Sequence, residues 1–185
     1  MLKLNSPRLI LTPIENEFSL ADTTCFISAL KRIKFLGPEL TPSASQPCFD
    51  TGEHFLHQIS FLGCSPRLYS DGESDIFIGI DQQSRVQFSH CHSMPPPRCP
   101  HCQKTNKNWP VNHRHWLANT ETMDNCPQCD KAFHFTAMKW KKNGGYGRLL
   151  LQIYGVQEQL AVPNPSFLGE LEALTETGWE YFFAT

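Results

Sequence analysis

At 185 residues, with 40% hydrophobic and 18% charged content, the chain suits one domain with a real core, or one domain carrying a small module. No apolar run approaches the roughly 20 residues that cross a bilayer. Residues 1–13 lack a long apolar stretch and a small-residue cleavage site, so neither membrane anchor nor signal peptide is expected, and the expected location is cytoplasmic.

In chain order, residues 8–12 predict a short strand ahead of Pro13. Ser19 and Asp22 resemble a capping box, and Phe26, Ala29, Leu30 and Ile33 recur at helical spacing until Gly37-Pro38 stops the run. A loop rich in Pro, Ser and Thr follows over 38–47. Asp50 and Glu53 then open a second predicted helix, with Phe55, Leu56, Ile59 and Leu62 on its apolar face and Gly63 at its end. Residues 76–80 read as a buried strand and 86–90 as an alternating one, joined by a hairpin loop over 81–84. Met94-Pro95-Pro96-Pro97 is a stiff spacer. Residues 132–140 predict a strand, Asn143-Gly144-Gly145 a hairpin turn, and 149–154 the returning partner. Asn164-Pro165 starts a helix with Phe167, Leu168, Leu171 and Leu174 buried and Gly178 at its end, and 179–183 closes as a strand. The expected fold class is α+β, a mostly antiparallel sheet with helices on one face. Residues 1–94 and 136–185 are its two halves, with a metal module inserted over 95–135.

Eight cysteines divide into two groups. Cys25, Cys48, Cys64 and Cys91 are scattered and read as inert thiols, whereas Cys99-Pro100-His101-Cys102 and Cys126-Pro127-Gln128-Cys129 form two CPxC pairs. Each pair bends two thiolates toward one point, and two facing pairs make the tetrahedral sulfur cage of a closed structural Zn2+ site, with iron as the alternative ion. The 23 residues between the pairs slightly exceed the roughly 15–20 usual for such sites, an excess assigned to a loop around 108–112.

The pattern resembles the zinc ribbon, whose rubredoxin-like knuckles usually read C-P-x-C-G. The resemblance covers about 98–135 and implies one structural ion held by Cys99, Cys102, Cys126 and Cys129. Gln103 and Asp130 stand where the family has glycine, at positions where the knuckle often needs a left-handed backbone. Cys-Pro-His-Cys also resembles the active site of the DsbA-like thioredoxin family, which would imply thiol–disulfide chemistry at Cys99 and Cys102. There, however, the cysteines start a helix, whereas Cys99 follows three prolines and no amphipathic helix is predicted after Cys102.

Charge is uneven. Residues 98–148 hold nine Lys/Arg and three Asp/Glu, while 149–185 hold five Glu and no base. Lys104, Lys107, Arg114, Lys139, Lys141 and Lys142 interleave with Trp109, Trp116 and Trp140, the mixture that fixes phosphates and stacks on unpaired bases. The tryptophans could equally fill the module's small core. The expected role is non-catalytic binding of nucleic acid or a protein partner; an adaptor without nucleic-acid binding and a thiol oxidoreductase are the alternatives. No small-molecule substrate is legible. His54-x-x-His57 with Glu53 lacks the four-residue spacing of zinc proteases, and the histidines at 92, 113 and 115 read as surface or outer-sphere groups.

Overall fold

Strand β1 (Arg8–Pro13) buries Leu9, Ile10 and Leu11 completely, so both of its faces are covered. It lies second in a six-stranded sheet whose neighbouring strands all run antiparallel. This computed structural model describes residues 4–40, 46–63, 76–92 and 95–185. With β2 (Leu36–Glu39), β3 (Cys48–Thr51), β5 (Phe77–His90), β8 (Gly144–Tyr154) and β10 (Trp179–Ala184), the strand order is β10-β1-β8-β5-β3-β2. The class is α+β, as the sequence predicts.

One sheet face carries Leu9, Leu11, Ile78, Ile80, Leu149, Leu151 and Ile153. It packs against α1 (Thr23–Arg32), through Phe26 and Leu30, and against α4 (Pro165–Thr175), through Phe167 and Leu171. Ile10, Leu150, Phe182 and Ala184 form a separate buried cluster. The sheet curls over that cluster. Phe183 N–H donates to the Lys142 carbonyl at 2.7 Å and Thr185 N–H to that of His90 at 3.2 Å, joining β10 to the far end of the β5–β8 ladder.

That curl explains the glycines predicted as a hairpin turn. Gly144 and Gly145 lie within β8, opposite His90 and Ser89, and not at a turn. A Cβ on Gly145 would stand 2.4 Å from the Phe182 ring, and one on Gly147 2.1 Å from Thr12 Oγ1. The glycines permit close crossing of strands. The predicted partner strand over 132–140 is likewise different. Of it only Ala132–His134 forms a strand, β7, which pairs with β6 (Met123–Asn125); a 3-10 turn follows over Phe135–Ala137, and Lys139 makes an isolated bridge to Arg98.

Other expectations also shift. Asp22 itself caps α1, its Oδ1 accepting from Thr24 N–H at 2.7 Å, so the helix starts after Asp22 and not at Ser19. The second predicted helix shrinks to one turn, α2 (Phe55–Gln58), because residues 59–61 become strand β4 (Ile59–Phe61) paired with β9 (Ala161–Pro163). Phe55 and Ile59 are buried, but Leu56 and Leu62 are 42% and 58% exposed. No hairpin loop interrupts 81–84. β5 runs through it with a register shift between Gln82 and Gln87. Helix α4 ends at a left-handed Glu176, before Gly178. No helix among the described residues is long and apolar enough to cross a membrane.

Candidate metal centre

Two knuckles with matching hydrogen bonds build the site. In the first, Gln103 N–H donates to the Cys99 carbonyl at 3.1 Å and Cys99 N–H to that of Lys104 at 2.9 Å. In the second, Asp130 N–H donates to the Cys126 carbonyl at 2.9 Å and Cys126 N–H to that of Lys131 at 3.0 Å. Both turns close through a left-handed residue, Gln103 at φ 58° and Asp130 at φ 57°, where the sequence places non-glycine side chains. Each side chain finds local support: Gln103 Nε2 donates to the Pro100 carbonyl at 3.0 Å, and Asp130 Oδ1 accepts from Asn125 Nδ2 at 3.3 Å. The β6–β7 ladder braces the second knuckle, and bridges from Arg98 to Thr105 and Lys139 brace the first.

The turns face one another. Cys99 Sγ lies 4.0 Å from Cys129 Sγ and Cys102 Sγ 3.8 Å from Cys126 Sγ, and all four sulfurs fall within 4.8 Å of one another. A tetrahedral ion with metal–sulfur bonds of about 2.3 Å needs sulfurs about 3.8 Å apart, whereas a disulfide needs about 2.05 Å. The four cysteines therefore could hold one metal ion.

Charge chemistry agrees. Burial opposes a thiolate at Cys126, yet the N–H groups of Gln128 and Cys129 aimed at it bring its pKa down to about 7. The Lys131 N–H favours a thiolate at Cys129, but burial and the three neighbouring sulfurs push that thiol up to about 11. Four thiolates at this spacing repel one another, and a divalent cation removes the conflict.

The cage is not a separate core. Cys99 and Cys126 share a buried cluster with Trp116, Phe133, Phe135, Met138 and Trp140, and also with Val86 of β5 and Tyr146 of β8. Helix α3 (Trp109–Ala118) occupies the predicted 108–112 loop and delivers Trp109, His113 and Trp116 to this seam. Phe88 meets the rings of His113, Phe135, Trp140 and Tyr146 at 4.7–5.2 Å. The sequence reading missed α3 and the seam. Pro110 in a first turn, with Trp109, His113 and Trp116 at i, i+4 and i+7, was the available signal.

The proposed contact residues separate on burial. Lys104, Lys107, Arg114, Lys139 and Lys141 are exposed and Trp109 is half-buried. Trp116 and Trp140, only 3% and 6% exposed, present no face to a base, which corrects their assignment to a contact surface. Lys142 Nζ sits 3.9 Å from the Tyr181 ring centroid, directed at β10. Other candidates lie apart from the sulfurs. His115 Nδ1 pairs with Asp124 at 2.8 Å, His92 Nδ1 meets Thr185 Oγ1 at 2.7 Å, and the His54 and His57 rings stack at 5.7 Å. Cys25 is exposed, Cys48 and Cys91 are buried, and Cys64 lies outside the described residues. Burial first, then the Glu158 carboxylate, pushes the Cys91 thiol up to about 12.

Fold and site thus define an α+β protein with a four-cysteine cluster docked on a curled sheet. Comparison with protein-family models, curated proteins and solved structures gave no match.

Proposed function

We propose that this is a non-catalytic zinc protein, in which a ribbon-like module inserted between β5 and β8 presents a basic surface to single-stranded nucleic acid. The observation carrying this reading is a row of unpaired cations beside the first knuckle. Arg98 bridges Lys139 on one side and Thr105 on the other, with Lys104 and Lys107 close in sequence. These four cations are exposed, and none is in an ion pair among the described residues. Half-buried Trp109, two residues beyond Lys107, is the aromatic left for stacking. Four thiolates at tetrahedral spacing suit Zn2+ and leave no open coordination position, which makes the ion's role structural; iron fits the same cage, and elemental analysis separates the two. The redox alternative lacks support from the local geometry: the first helix after Cys102 starts at Trp109, so neither cysteine of the first pair stands at a helix N-terminus.

Two measurements test the proposal. Elemental analysis should give one zinc per chain. Affinity for an unstructured oligonucleotide should fall steeply with salt, about tenfold or more between 50 and 200 mM if several phosphates are neutralised. Reversal of Lys139 and Arg98 to Glu should abolish that binding while the zinc stays. Absent or salt-insensitive binding overturns the nucleic-acid reading and leaves a protein partner as the module's target.

A further inference from the structure

A second site lies away from the metal, on the sheet face that carries Arg8, Gln152 and Tyr154. A polar chamber of about 270 Å³ opens there between β1, β8 and β5. Gln152 and Tyr154, 4% and 3% exposed, form part of its wall. Gln46 Nε2 donates to Tyr154 Oη at 2.7 Å, and Gln152 Nε2 donates to Gln46 Oε1 at 3.2 Å. This network fits because residue 79 is glycine. A Cβ there would stand 2.7 Å from Gln46 Nε2 and 3.0 Å from the Tyr154 ring.

Two opposite charges line the same chamber without meeting. Among the described residues Arg8 Nε is buried with no hydrogen-bond partner, and its guanidinium lies 5.6 Å from the Tyr154 ring centroid. Asp81 accepts from Gln83 Nε2 at 2.7 Å, and burial holds its carboxyl above the usual range. Neither is ion-paired among the described residues. Arg8 on β1 and Asp81 on β5 flank β8 opposite Tyr154 and Leu150, so their backbones are offset by four residues, roughly 13 Å, along β8 and by two strand spacings, roughly 10 Å, across it, a gap the two side chains narrow by reaching over β8. Both side chains are only partly buried and line the opening, so their charges are available to a ligand there.

We propose that this chamber binds a small zwitterion of amino-acid size, its carboxylate on Arg8 and its ammonium on Asp81. A guanidinium grips a carboxylate through two parallel hydrogen bonds, and an arriving ammonium gives Asp81 the counter-charge it lacks. At about 270 Å³ the chamber lies at the lower end of small-molecule sites, which suits a ligand of amino-acid size. The inference is independent of the metal and of the basic surface.

The test is a titration of the zinc-loaded, isotope-labelled full chain, followed by backbone amide signals of Gly79, Asp81 and Gln152. The probes are glycine, 4-aminobutanoate, acetate and butylamine, each up to about 10 mM, enough to detect millimolar affinity. The expected result is that at least one zwitterion shifts these signals with affinity about tenfold or more above both single-charge controls. Arg8→Met should remove the effect. Should that variant disturb the spectrum as a whole, Asp81→Asn carries the test, and must weaken the zwitterion more than acetate. No shift at these residues, equal response to the controls, or indifference to the substitutions overturns the proposal.

Discussion

The ring of Phe88 on β5 stands 4.7 Å from that of Trp140, centroid to centroid, and so links the curled sheet to the cluster around the cysteines. Phe88 is only partly buried, yet it touches rings from α3, from the 3-10 turn and from β8. Truncation should therefore act on the joint between the two parts and not on one part alone. Phe88→Ala is expected to cost about 2–3 kcal/mol, below the roughly 3–5 typical of a fully buried phenylalanine. Denaturant unfolding followed by tryptophan fluorescence checks the magnitude. An effect under about 0.5 kcal/mol, the scale of ordinary surface changes, would show that the seam contributes little.

Gly147 makes a second, independent claim about the curl. An added methyl would meet Thr12 Oγ1 at 2.1 Å, and that hydroxyl donates to the Leu149 carbonyl at 2.9 Å. Gly147→Ala should cost about 1–3 kcal/mol, the usual cost of overpacking. Removing the obstructing oxygen in Thr12→Ala/Gly147→Ala should recover part of it. A double mutant whose loss equals the sum of the single losses would mean that the two residues do not collide.

These two residues also show where the sequence was readable. Strand β1, helix α4 and the closing strand β10 are set by local patterns and appear close to their expected bounds; helix α1 also forms, but over Thr23–Arg32 only, short of Ser19 at one end and of Gly37-Pro38, which lie in β2, at the other. The cysteine pairs were equally legible, because CPxC turns are local and only their mutual approach is not. What failed depends on distant partners. Phe55, Leu56 and Ile59 carry a helical period, but Ile59 is drawn into pairing with Pro163, more than a hundred residues later. The glycines at 144 and 145 look like a turn in sequence, and only the Phe182 ring shows why they sit in a strand.

The knuckles yield a third prediction. Gln103 and Asp130 hold left-handed backbones, which cost a non-glycine residue roughly 1–2 kcal/mol, partly offset by the freedom glycine loses on folding. Gln103→Gly and Asp130→Gly should each stabilise the metal-loaded protein by about 0.5–1 kcal/mol, the strain released less the glycine cost, because the side-chain hydrogen bonds lost are solvent-exposed and contribute little. Thermal unfolding of the zinc-loaded variants is the measurement. A fall in midpoint for both would mean that the side chains contribute more than the strain costs.

His113 sets a pH dependence. Burial first, and then the neighbouring His90, lowers its pKa below the ordinary value of about 6.5. It packs against Phe88, Trp109, Trp116 and Phe135. The folded state therefore resists protonating a ring that the unfolded chain protonates readily. Stability is unaffected above the unfolded value, falls as pH drops through about 6.5, and levels off below the folded value. Between about pH 7.5 and 5.5, wild type should lose more stability than His113→Phe, which keeps the ring stacking and cannot titrate. Both proteins carry the same cysteine site, so acid release of the metal cancels in the comparison. Parallel pH curves would refute the assignment.

Metal removal tests how far the sulfur cluster supports the rest. Structural zinc sites contribute an apparent 10–16 kcal/mol or so of binding energy, and here the cysteines that could hold an ion share their cluster with Val86 and Tyr146 of the long ladder. That ladder closes the sheet through the carbonyls of His90 and Lys142. Chelation, or Cys126→Ser, should thus unfold residues 98–140 and also release the ladder end at 144–147. Helices α1 and α4, packed on the opposite sheet face, should persist. Amide exchange separates the outcomes. Lost protection in the cysteine region and at 144–147, with α1 and α4 retained, fits a support that reaches the sheet through the aromatic seam. Loss confined to the cysteine region would mean that the curl stands without the metal. Unchanged protection everywhere would mean that the four thiols hold no structural ion.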